Sequence, residues 1–84
     1  MRRYSVFIHE DVLASAPKSG AQQHLVMDFI RGLADNPHLP GDYTEQDETG
    51  RALEIKIVGR YAVTYWADHP VKEIKVVHVQ IAGR

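Results

Sequence analysis

Between Arg51 and Ile81 an apolar side chain returns at every second position, as Leu53, Ile55 and Ile57, then Val63 and Tyr65, then Val77, Val79 and Ile81. That is the spacing of β-strands. The runs are broken only by Val58-Gly59-Arg60 and by residues 68–73, which predicts an antiparallel meander with one apolar face. The same alternation assigns Ala52, Glu54 and Lys56, then Ala62, Thr64 and Trp66, then Val76, His78 and Gln80 to the opposite face. The first turn needs an odd length for this to hold. A two-residue Gly59-Arg60 loop would set Ile57 opposite Ala62 and send the two apolar sets to different sides. A three-residue connection, Val58-Gly59-Arg60, is therefore expected, with Ile57 opposite Tyr61 and Gly59 free to take positive φ.

Upstream, Arg3 to Ile8 alternates Tyr4, Val6 and Ile8 against Ser5 and Phe7 and predicts a first strand. Val12 to Ala16 can form a turn or two of helix before Pro17 stops it. Ser19 and Gln22 have capping-box spacing, and Leu25, Val26, Phe29, Ile30 and Leu33 make an apolar stripe, so a long helix is predicted from Gly20 to Asp35. Asn36-Pro37 ends it. Asp42 to Asp47 reads as a short acidic strand before the turn at Glu48-Thr49-Gly50. The order predicts one α+β domain over residues 1–84, an antiparallel sheet of four or five strands with one short and one long helix packed on one face.

Composition narrows the chemistry. With 84 residues, 44% hydrophobic and 25% charged, the chain has one core and the make-up of a globular protein. It contains no cysteine, which excludes disulfides and thiolate zinc sites. No apolar run reaches signal-peptide or membrane-spanning length, so a cytoplasmic protein without membrane contact is expected. A net charge of −1 gives no overall pull toward nucleic acid. His9, His24, His38, His69 and His78 lack the spacing of a metal-ligand set, and the glycines are scattered one by one rather than gathered in a phosphate loop. No metal or cofactor is expected.

Cleavage of RNA remains open to such a surface, because the substrate brings its own 2′-hydroxyl nucleophile and the protein need supply only a base, an acid and cations. Glu54 as base, Lys56 and Arg84 as cations and His78 as acid share one parity series. Trp66 could stack a base, with Arg51 and Arg60 as further binding candidates. Each has a plainer reading as well. Exposed Glu and Lys on strands mostly keep edges soluble, and an exposed Trp is as often covered by a partner chain.

Tyr4-Ser5-Val6-Phe7-Ile8, the helix end Asp28 to Pro37, and the run from Gly50 to Asp68 (Gly-Arg-Ala-Leu-Glu-Ile-Lys-Ile-Val-Gly-Arg-Tyr-Ala-Val-Thr-Tyr-Trp-Ala-Asp) together resemble the RelE/ParE superfamily of toxins from type II toxin-antitoxin systems. The resemblance spans nearly the whole chain and rests on order and spacing more than on any single motif. It implies a helical hairpin on a twisted antiparallel sheet, a growth-inhibiting activity, and a cognate antitoxin that wraps the toxin. RelE-type members cut mRNA on the ribosome. In that branch Lys56 matches a basic residue on the strand before the hairpin and Arg84 one after the last strand. ParE-type members inhibit DNA gyrase without nuclease chemistry. The leading expectation is the RelE-like ribosome-dependent mRNA endonuclease. The ParE-like branch is the alternative, favoured by Ala62, which stands where nuclease members place an arginine, and by the lack of a C-terminal Tyr or His, and a degenerate member that only binds an antitoxin is the third reading.

Overall fold

The helices form where their spacing predicts, and their apolar stripe is the lid of the core. A computed structural model describes residues 3–82, as β1 (Ser5–Ile8), α1 (Glu10–Ser15), α2 (Gly20–Gly32), β2 (Tyr43–Gln46), β3 (Ala52–Val58), β4 (Tyr61–Asp68), a single 3-10 turn (His69–Val71) and β5 (Glu73–Ile81). Val26 and Ile30 of α2, Leu33 just beyond it and Val12 of α1 are fully buried against Val63, Tyr65, Ile74, Val76 and Val79. Each such side chain contributes about 1.5–3 kcal/mol by leaving water. The fold is a small α+β domain, a five-stranded sheet with two helices.

Helix α2 starts at Gly20 as expected and stops at Gly32, three residues short of the predicted Asp35. There the Asn36 side chain donates to the Gly32 carbonyl at 3.1 Å and takes over a bond the helix would have made. The capping box is not used. Ser19 occupies the N-cap position without a side-chain bond, and Gln22 instead accepts from the Arg60 backbone N–H at 2.9 Å, tying the helix to the β3–β4 hairpin.

The strand order is β1-β5-β4-β3-β2. β5, β4, β3 and β2 are mutually antiparallel neighbours, but β1 pairs with β5 in parallel, Ser5 with Glu73 through Ile8 with Val76, so the sheet is mixed rather than wholly antiparallel. A parallel neighbour needs a long crossover, and the chain between β1 and β5 supplies one.

The register corrects the central expectation. β3 and β4 are joined by two residues, Gly59 and Arg60, with Val58 opposite Tyr61 and Ile57 opposite Ala62. Gly59 has φ of 60° and Arg60 does not share the positive φ, which is the Gly-first pattern of a type II′ turn. Glu54, Lys56 and Val58 are thereby placed across from Tyr65, Val63 and Tyr61, on the side of the helices. Leu53, Ile55 and Ile57 face the other way, across from Ala62 and Thr64, on the side that no helix covers.

A second shift lies in β5. Thr64 pairs with His78 and Tyr65 with Val76, leaving Val77 as the extra residue of a bulge. Ile74 and Val76 before the bulge and Val79 after it all reach the core, whereas Val77 does not join the buried cluster. The eight side chains expected to face α2 together are thus divided between two faces.

Close approach of β3 to the segment leading into β2 requires Gly41. A Cβ there would lie 2.6 Å from both the nitrogen and the oxygen of Ile55, backbone atoms that cannot swing aside. Gly41→Ala is expected to lower stability by about 1–3 kcal/mol in urea unfolding, as overpacking does. Gly32→Ala, with nothing within 4 Å of its Cβ, is expected to be neutral or to gain about 0.5–1 kcal/mol.

Candidate functional site

The register separates the residues expected to act together. Glu54 and Lys56 share the helix side, but His78 pairs with Thr64 and so belongs to the uncovered side, with the sheet between them. A base and an acid on opposite faces of a sheet cannot serve one phosphate. Arg84 lies outside the described residues. Arg60 sits in the hairpin turn, exposed, with its backbone N–H held by Gln22. Two of the binding candidates do meet. The Arg51 guanidinium lies 4.0 Å from the centroid of the Trp66 ring.

Trp66 is the centre of a strip that crosses the uncovered face. Phe7 of β1, Lys75 of β5 and Trp66 of β4 are register neighbours, and the Lys75 ammonium stands 5.8 Å from the Phe7 ring and 5.3 Å from the Trp66 ring. The strip ends in Arg51. Its cations are already partnered, because Asp47 holds Arg51 at 3.2 Å while Glu73 and Asp68 hold Lys75 at 3.3 and 4.0 Å. Such exposed pairs stabilise little, but they cancel the field that would draw a phosphate backbone. The rest of the face mixes aliphatic and polar side chains, with Glu45, Thr64, His78 and Gln80 beside Leu53, Ile55, Ile57 and Ala62. Ile55, Ile57 and Ala62 line a shallow trough of about 650 Å³ with Tyr43 and Gln80 at its rim, and Phe7 and Tyr43 remain 50% and 62% exposed.

On the helix side the loop at residues 37–40 closes over the end of β3 and β4 that carries Glu54 and Tyr65. Tyr65 donates its hydroxyl to the Leu39 carbonyl at 3.0 Å, and the carboxylate of Glu54 accepts from the Gly41 backbone N–H at 2.7 Å. A cavity of about 280 Å³ remains beneath, bounded by Glu54, Tyr65, Ala67, His38 and His69. The two imidazoles stack, with centroids 4.6 Å apart and planes 17° from parallel, and the Tyr4 hydroxyl shares a 2.7 Å hydrogen bond with His69 Nδ1. Lys56 does not enter this cavity. Its ammonium pairs with Asp42 at 3.3 Å.

On the helix side two groups have shifted proton affinity. The Ile57 backbone N–H donated to Asp42 at 2.9 Å, helped by Lys56, outweighs desolvation and holds the Asp42 carboxyl below the ordinary carboxylate range. Burial, followed by the nearby charges of Glu54 and Asp42, pushes the Tyr65 phenol up to about 12. Neither shift places a proton donor or acceptor at a neutral-pH working point.

Comparison with protein-family models, curated proteins and solved structures gives no match. Among the described residues no group of three or more His, Cys, Asp or Glu could hold a metal ion, and no helix is long and apolar enough to cross a membrane.

The alternation pattern gave no role to His38, Phe7 or Tyr43, and His69 reads from sequence as a turn residue only. Phe7 and Tyr43 were accessible to it, since each has the parity of an uncovered face once its strand is paired. The His38–His69 stack was not, because it joins a loop and a turn that lie far apart in the sequence.

Two measurements check the electrostatics. Because Asp42 has a lowered pKa, its stabilising effect is present above the ordinary carboxylate pKa and is lost as pH falls through the folded value. Asp42→Asn is therefore expected to be less stable than the parent at neutral pH, with the gap closing below about pH 4 in acid unfolding series. Tyr65 has a raised pKa, so its hydroxyl bond persists until pH rises through about 12. In a tyrosinate absorbance titration one of the four tyrosines should ionise last, and Tyr65→Phe should remove that step and cost about 1 kcal/mol near neutral pH.

Proposed function

We propose that this chain is the toxin component of a type II toxin-antitoxin pair of the RelE/ParE kind, and that it acts by binding protein rather than by cutting mRNA. The family reading rests on the resemblance of residues 4–8, 28–37 and 50–68 and on the order of strand, two helices and antiparallel meander. The choice of binding over cleavage rests on one observation, that Glu54 and Lys56 lie on the face opposite His78.

The uncovered side of the sheet fits the binding reading. Ile55, Ile57, Ala62 and Trp66 present an apolar centre, and the charges around Trp66 are neutralised within the chain. Apolar and aromatic centres with internally paired charges suit a protein partner, whereas a groove for RNA needs unpaired cations along its length. On this reading the antitoxin covers the face, and the target, DNA gyrase in the ParE-like branch, competes for it.

Induction of the protein without its antitoxin is expected to arrest growth with gyrase-linked DNA cleavage complexes and with intact translated mRNA. Lys56→Ala should leave the arrest unchanged, while Ile57→Glu should relieve it at least tenfold in surviving cells without unfolding the domain. Discrete cuts in translated mRNA that vanish in Lys56→Ala would restore the ribosome-dependent nuclease reading. Normal growth under full induction would leave only the antitoxin-binding member of the family.

A further inference from the structure

We infer that the cavity beneath the 37–40 loop is a recognition site for a guanidinium group, the arginine side chain of a partner chain, with Glu54 as its anionic floor. The assignment concerns the helix side of the sheet and stands independently of the toxin reading.

Glu54 is the point of departure. It is half-buried and has no Lys, Arg or His within ion-pair distance among the described residues, whereas the other half-buried carboxylates, Asp47, Asp68 and Glu73, each have one, and Glu10, Glu45 and Glu48, which also lack one, are exposed. Its Oε1 accepts from the Gly41 N–H at 2.7 Å and from the Thr44 hydroxyl at 3.4 Å, and those two bonds are its only ones among the described residues. A carboxylate drawn partly out of water and left with unused acceptor capacity favours a cation that can bring several donors at once. Its charge is felt at the cavity wall, where it adds to burial in keeping the Tyr65 phenol protonated.

The walls select among cations. Pro37, Leu39, Pro40 and Ala67 are apolar, and the stacked His38 and His69 rings stand at the rim. A metal ion is a poor fit, because two nearly parallel imidazoles do not aim their nitrogens at one point and no third ligand joins them. A compact, strongly hydrated ammonium gains little from flat apolar walls. A guanidinium is planar, weakly hydrated and able to stack on a ring while pairing with a carboxylate, and about 280 Å³ holds it with part of its stem. The chain shows the same preference within itself on the other face, where the Arg51 guanidinium lies on Trp66 while paired with Asp47.

The test is a titration of the folded protein with N-acetyl-argininamide, followed by backbone amide shifts. The shifts are expected to concentrate at Ala52, Glu54, Ala67 and His69, with the neutral isostere N-acetyl-citrullinamide producing none. Glu54→Gln keeps an acceptor for the Gly41 N–H and removes the charge, and it should weaken binding about tenfold or more. Ala67→Leu should fill the cavity from the neighbouring strand with Glu54 intact. Equal shifts with the citrulline probe, equal affinity for N-acetyl-lysinamide, unaltered binding in both variants, or shifts scattered away from the cavity would each overturn the assignment.

Discussion

The two-residue turn at Gly59 and Arg60 decides the chemistry of both faces of this sheet. Side chains alternate strictly along a strand, so adding or removing one residue at a hairpin exchanges the entire set that faces the core with the set that faces out. Here the turn puts Val58 against Tyr61, and from that pairing every position of β3 follows. Glu54 and Lys56 go to the side of the loop that precedes β2, where the carboxylate accepts from the Gly41 N–H and the ammonium pairs with Asp42. Ile55 and Ile57 go to the open side. The turn is itself held from outside the sheet, since Gln22 of α2 accepts the Arg60 N–H and fills the space above Gly59. A helix side chain therefore stabilises the register that places the strand residues.

The bulge at Val77 completes what the turn begins. Without it, Val79 and Ile74 would lie on opposite faces of β5, and one half of the strand would expose its apolar residues. One extra residue lets Ile74 and Val76 reach the core on one side of the irregularity and Val79 on the other. The same extra residue carries His78 to the open face beside Thr64. The residues that look catalytic when the chain is read as an unbroken alternation are dispersed by these two devices, both of which serve packing.

Much of the fold was legible because its elements carry redundant signals. Val26, Ile30 and Leu33 repeat at helical spacing, Pro17 and Asn36-Pro37 punctuate, and three alternating runs mark three strands. Facing was not legible from apolarity alone, because β4 is apolar on both sides: Ala62, Val63, Thr64 and Tyr65 are all buried, two against the helices and two among side chains of the open face. In such a strand either register hides something greasy. The local signal that breaks the tie is Gly59 followed by a non-glycine, which fits a two-residue type II′ turn and outweighs the wish to gather every aliphatic on one face. The parallel β1–β5 pair was hidden for another reason, since it depends on a crossover whose destination no local pattern states.

The candidate sites differ in how they manage charge, and that difference carries the functional argument further than residue identity does. On the open face Arg51, a binding candidate from the sequence, and Lys75 each stand over an aromatic ring and are tied to a carboxylate of their own chain. Releasing them to a nucleic acid would mean giving up those pairs, while a protein surface can cover them as they are. Beneath the 37–40 loop the balance is reversed: the charge without a partner is negative, partly desolvated and walled by apolar and imidazole groups. On the readings proposed above, the paired Arg51 and Lys75 leave the open face suited to an apolar polypeptide surface, and the half-buried Glu54 carboxylate suits a basic side chain at the end of the sheet.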